Sequence, residues 1–259
     1  MPDKADQILT PALLNALGLT AKTLSWKSLR EALGMHAPPE QIARIMADYS
    51  DGLPVPVLPE WVDGEISSRY SLPFLDLSPE EQQITKNLRD ALRKQPLPVD
   101  WLDELQQLLH SYPHVPVLYN LEVMYYRTIG DLDRWRTSSE ALLKRFPGYI
   151  FATVTLASYY LSLQQPEKVP PLFHDQLELV DFDPEERVFE ASEVSSFYGV
   201  MAWYHLYELR LLRSALCISL VHASRPNDPF LNRLMAWLLQ FPEHVLLELR
   251  RILREGARD

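Results

Sequence analysis

The side chains in this chain most able to do chemistry are seven histidines and one cysteine, and their spacing decides what they can do. His110 and His114 lie four apart in HSYPH. Two imidazoles four apart on one helical face make a zinc pair, but Pro113 falls between these two at a predicted helix end, so they do not share a face. His205 and Glu208 in WYHLYE are three apart on a predicted helix, close enough for a carboxylate to hold an imidazole. No nucleophile or further ligand accompanies them. Cys217 sits in the apolar run ALCISLV, which predicts a buried, inert thiol. The sequence has no HExxH, no glycine-rich phosphate loop and no GxSxG. No catalytic residue, cofactor or metal is therefore expected, and an enzyme using His205 with Glu208 is the third of three readings below.

Charge narrows the choice of partner. With 35 acidic against 25 basic side chains the formal net charge is −10, which gives no global support to nucleic-acid or anionic-membrane binding. The acids concentrate between Asp175 and Glu193, where Asp181, Asp183, Glu185, Glu186 and Glu190 form the middle of a run that contains only one base, Arg187. Such a run reads as a solvated acidic patch that steers basic partners. A single cysteine excludes an intramolecular disulfide and fits a reducing compartment. The first residues lack the basic-then-apolar order of a signal peptide, and no window approaches the roughly 20 apolar residues of a membrane helix, so the expected localisation is cytoplasmic.

The elements that position these residues are predicted to be helices. Only 8 glycines, against 47% hydrophobic content, argue for helical layers rather than sheets, and the 21 prolines cluster where helices should start or stop. Residues 1–50 read as a small helical lead-in, with starts at Thr10-Pro11, Ser25 and Pro38-Pro39. Residues 51–78 hold four prolines but also Val55, Trp61, Tyr70, Phe74 and Leu75. That is too apolar for a free tether, and it predicts an extended strap lying along the helical body. Residues 79–259 read as helix pairs, opened by Ser78-Pro79-Glu80-Glu81, a cap followed by proline and first-turn acids.

The best-defined pair is Leu118 to Pro147. Leu118, Leu121, Met124 and Tyr125 share one helical face, Gly130-Asp131 breaks the helix, and a second helix runs through Trp135, Leu142 and Leu143 to Pro147. A pair this small cannot bury its apolar faces alone and is expected to stack on similar pairs. Tyr112-Pro113 and Phe146-Pro147 close two successive units 34 residues apart. Tyr119-Asn120-Leu121, Tyr125-Tyr126, Gly130-Asp131 and Pro147 resemble the tetratricopeptide repeat. Glu122 and Trp135 stand where that family has small residues. A second copy fits Leu156-Ala157, Tyr160, Val169, Phe173 and Asp181, with Gln164-Gln165 replacing Gly-Asp. The resemblance covers roughly residues 80–240. Thereafter the next pair-closing proline is Pro226, eleven residues later than the period requires.

The resemblance implies an all-α, right-handed α-α superhelix whose first helices line a concave, partner-binding groove. By family position that groove carries Tyr119, Val123, Tyr126 and Arg127 from one copy and Phe151, Val154, Ser158 and Leu161 from the next. Tyr119 and Val123 replace the lysine and asparagine with which the family clamps acidic chain ends, so an apolar or aromatic-anchored segment is the expected ligand. The leading expectation is a non-enzymatic adaptor or scaffold for a protein or peptide partner. The alternative is a structural subunit of an oligomer whose groove is occupied by its own chain.

Overall fold

Why these residues form helix pairs is visible at the chain ends of each helix. In the computed structural model, the residues described are 59–62, 72–94, 96–183, 188–208, 210–226, 228, 230–234 and 237; the lead-in at 1–50 and Glu185 and Glu186 lie outside them. The described residues are mostly helical, with two three-residue strands. The chain divides into two compact units, 59–197 and 1–58 with 198–259.

In the unit 59–197, helix α1 (Pro79–Ala91) begins with the expected capping box. The Glu81 backbone N–H donates to Ser78 Oγ at 3.3 Å, and the Ser78 N–H donates to the Glu81 carboxylate at 2.8 Å. Helix α2 (Trp101–Ser111) turns Trp101 inward, where its indole N–H donates to the Leu88 carbonyl at 2.9 Å. Helices α3 (Pro116–Ile129) and α4 (Leu132–Arg145) meet at Gly130-Asp131. Gly130 takes φ +75°, and the Asp131 side chain accepts the Arg134 N–H at 3.0 Å. One residue ends a helix in the left-handed region, and the next caps a new helix. Helix α5 (Ile150–Ser162) follows, then a 3-10 turn (Pro166–Lys168) and two short helices, α6 (Val169–Leu172) and α7 (Leu179–Phe182). The counterpart of α4 in this second copy is cut short because Pro166, Pro170 and Pro171 remove donors that a full helix needs.

The 34-residue spacing recurs in individual hydrogen bonds. Asp131 N–H donates to Tyr126 O and Gln165 N–H to Tyr160 O, each at 3.0 Å; Gly130 N–H donates to Arg127 O and Gln164 N–H to Leu161 O. At the pair-closing turns, Tyr112 bonds to Leu108, Val115 to Tyr112 and Leu118 to Val115. The same three bonds return as Phe146 to Leu142, Tyr149 to Phe146 and Ala152 to Tyr149. Gln164, an L residue, occupies φ +58° where the first copy has glycine.

Two apolar clusters fill this unit. The first joins Phe74 and Leu77 to Leu88, Trp101, Leu105, Val115, Leu118 and Leu121, so the end of the 51–78 strap packs on α1 and α2. Tyr125 of α3 stacks on Trp101 with ring centroids 4.9 Å apart. The second cluster gathers Val123, Tyr126, Trp135, Leu142, Tyr149, Ala152, Leu156 and Tyr159. An earlier piece of the strap forms strand β1 (Glu60–Val62), which pairs in parallel with β2 (Val188–Glu190) in a two-stranded sheet.

Helix α8 (Ala191–Tyr207) starts in this unit, and its later residues belong to the unit with 198–259, together with α9 (Leu211–Ser224). Here the turn bonds appear again. Arg210 N–H donates to His205 O as Asp131 does to Tyr126, and Arg225 to Val221, Asp228 to Arg225 and Leu231 to Asp228 repeat the closing turn. Small residues shape this copy. Ser214 Oγ donates to the Ala202 carbonyl at 2.9 Å, and a Cβ on Gly199 would lie 3.1 Å from the Phe230 ring.

Candidate partner-binding surface

Helix α3 presents its expected groove residues to three different environments. Val123 and Tyr126 are buried in the cluster with Trp135 and Leu142 of α4, and their role is packing. Tyr119 is half-buried; its hydroxyl donates to the Pro113 carbonyl at 3.1 Å, and the Arg145 guanidinium lies 4.9 Å from its ring centroid. Arg145 also donates to the same carbonyl at 2.7 Å. Arg127 is exposed, with its guanidinium 5.4 Å from the Trp135 ring centroid. On the next helix, Val154, Ser158 and Leu161 are buried and Phe151 is half-buried.

That is a correction to the groove read from family positions. Five of its eight side chains are interior, and the physical reason lies in α5, which is apolar on nearly every side and has ten of its thirteen residues buried. Of the eight, Arg127 is exposed and Tyr119 and Phe151 are half-buried. Sequence reasoning missed two arginines that pack on rings of this set, Arg145 on Tyr119 and Arg134 on Tyr126. Arg134 lies 5.5 Å from the Tyr126 ring centroid and pairs with Asp131 at 3.6 Å. Burial, reinforced by the nearby Glu122 charge, pushes the Tyr126 hydroxyl above the usual tyrosine range, with Arg134 opposing.

The two family departures have clear structural consequences. Trp135 is 6% exposed, stands edge-on to Tyr159 at 5.3 Å, and fills the space where a small residue would let helices close up. Glu122 is half-buried and accepts a hydrogen bond from the Gln106 amide at 2.9 Å. Burial raises its carboxyl above the ordinary range, and the Gln106 bond works against that shift.

The acidic run is divided. Asp181 is exposed and Asp183 half-buried, whereas Glu190 is only 3% exposed. The expectation of a solvated face fails at Glu190 because it stands at the start of α8. Its backbone N–H donates to the Glu193 carboxylate at 2.9 Å, and Ser192 Oγ donates to Glu190 Oε2 at 3.2 Å. Helix N-termini favour such carboxylates. The spacing Glu190-Ala191-Ser192-Glu193, half of a capping box, was the available signal. Tyr149 lies near enough that burial, then the charges of Glu193 and Glu190, push its hydroxyl far above the tyrosine range.

The histidine candidates are not brought together. His114 Nε2 lies 2.9 Å from the Asp76 carboxylate, and His110 is exposed. His205 is 2% exposed beside the Tyr204 ring, whereas the Glu208 carboxylate is exposed and faces Arg210 at 3.9 Å. Cys217 is buried. Among the described residues no group of three or more histidine, cysteine or acidic side chains is placed to hold a metal ion, and no helix is long and apolar enough to cross a membrane.

Comparison of the chain with protein-family models, with curated proteins and with solved structures finds no match.

Proposed function

We propose that this chain is a non-enzymatic adaptor or scaffold, a tetratricopeptide-like helical repeat in a right-handed superhelix that binds a protein or peptide segment. The observation that supports this reading is the return of the same turn hydrogen bonds after 34 residues, and again at His205, Arg210 and Arg225. Repeats of this kind bury their cores between neighbours and leave an extended surface for recognition. The contact residues are Tyr119, Arg127 and Phe151. Exposed Asp181 favours basic partners by long-range attraction, and the working compartment is the cytoplasm.

The competing reading is a structural subunit whose recognition surface is taken by its own chain. The all-round burial of α5 and the packing of strap residues Phe74 and Leu77 speak for it. Affinity capture with wild-type protein and with Arg127→Glu/Phe151→Ser protein separates the two. The adaptor reading expects partners that the variant loses while its circular dichroism is unchanged. Identical recoveries from both proteins count against it.

A further inference from the structure

Strand β2 carries an unmet hydrogen-bonding demand. In the parallel pair Glu60 lies opposite Val188, Trp61 opposite Phe189 and Val62 opposite Glu190. Burial is lopsided: Phe189 and Glu190 are each 3% exposed, while Glu60 is exposed and Trp61 half-buried. Strand β1 is thus the outer member, and among the described residues no third strand joins the sheet. The Glu190 carboxylate receives Ser192 Oγ on Oε2, but its Oε1 is buried without a hydrogen-bond partner. A buried carboxylate oxygen lacking a donor is unfavourable.

Register identifies what would satisfy it. Residues opposite one another in a ladder project from the same face with Cβ atoms roughly 5 Å apart. The residue opposite Glu190 in the backbone register is Val62, and valine is a residue type with no side-chain donor. The chain's own strap therefore completes the backbone ladder and leaves Glu190 unsatisfied. A lysine or arginine at that register would reach the free oxygen, and the charge balance of the chain, −10 overall, favours a basic segment.

We propose that β2 is a strand-accepting edge, and that an extended partner segment displaces β1, pairs in parallel with Val188–Glu190 and sets a lysine or arginine on Glu190. Backbone bonding in such strand addition is the same for any sequence, so selectivity rests on the side-chain position. A ladder of three residues is short enough to exchange.

The test uses the full chain and two fluorescent peptides, one copying residues 58–66 and one copying them with Val62→Lys. The lysine peptide is expected to bind wild-type protein about tenfold more tightly than the valine peptide, and that preference should vanish with Glu190→Gln. In the intact chain, Val62→Lys should raise Tm, and Glu190→Gln should erase the gain. The proposal is overturned if neither peptide binds, if the two bind equally, if the preference survives Glu190→Gln, or if Val62→Lys lowers Tm.

Discussion

Gly130→Ala and Gln164→Gly perturb one turn in opposite directions. Gly130 ends α3 at φ +75°, and a Cβ added there meets nothing within 4 Å, so the cost of alanine is backbone strain alone. A left-handed L residue costs about 1–2 kcal/mol. Alanine's smaller unfolded-state entropy returns about 0.4–1 kcal/mol, leaving a net loss of about 1 kcal/mol. Gln164 already bears that strain at φ +58°, so Gln164→Gly should stabilise by about 0.5–1 kcal/mol on the same balance. Urea denaturation reads both as midpoint shifts of opposite sign at constant slope. Hydrogen exchange of the amides from Tyr160 to Gln165 gives the local response, which matters because a chain of two units need not unfold in one step. A destabilised Gln164→Gly protein, or a neutral Gly130→Ala protein, would refute the claim that both turns are set by the same backbone geometry.

Two other substitutions test packing and electrostatics. Trp135→Ala should cost about 3–5 kcal/mol in chemical denaturation, because it empties a buried site between α4 and Tyr159 that nearby small residues cannot refill; a loss under about 1 kcal/mol would mean the helices close up without it. Glu81 is held below its ordinary value of 4.5, first by the Tyr112 hydroxyl at 2.6 Å and then by Ser78. A depressed carboxylate contributes stability that is present above 4.5 and is lost as pH falls through the lower folded value. Tyr112→Phe should move the Glu81 titration upward in a carbon-detected NMR experiment, and an unmoved titration would show that the capping box alone sets it.

Much of the fold was legible because it depends on local chemistry. Ser78-Pro79-Glu80-Glu81 predicted a capped helix start and Gly130-Asp131 the break between α3 and α4; both hold. Over Leu72–Asp76 the expected extended strap is instead a 3-10 turn, where Phe74 and, just beyond, Leu77 are buried while Leu72 and Leu75 are exposed, because a turn sends its apolar side chains to both sides. What was hidden is non-local. A three-residue parallel ladder between positions 60–62 and 188–190 leaves no periodic trace. Gln164 gave no sign of a left-handed backbone, since only the recurrence of the turn demands it. The family position of Val123, Val154 or Leu161 marks a helix face, but what covers that face is decided by packing partners distant in sequence. Glu190 belonged to a charge run that reads as solvated, and only its position at the start of α8 puts it inside.

Site-specific photocrosslinking from full-length protein inside cells tests the binding claim most directly, with a photoreactive residue at position 127 or 151 and a control at exposed position 140. The account predicts discrete protein adducts from 127 and 151 that are absent from 140. No adducts, or the same adducts from all three positions, would contradict it.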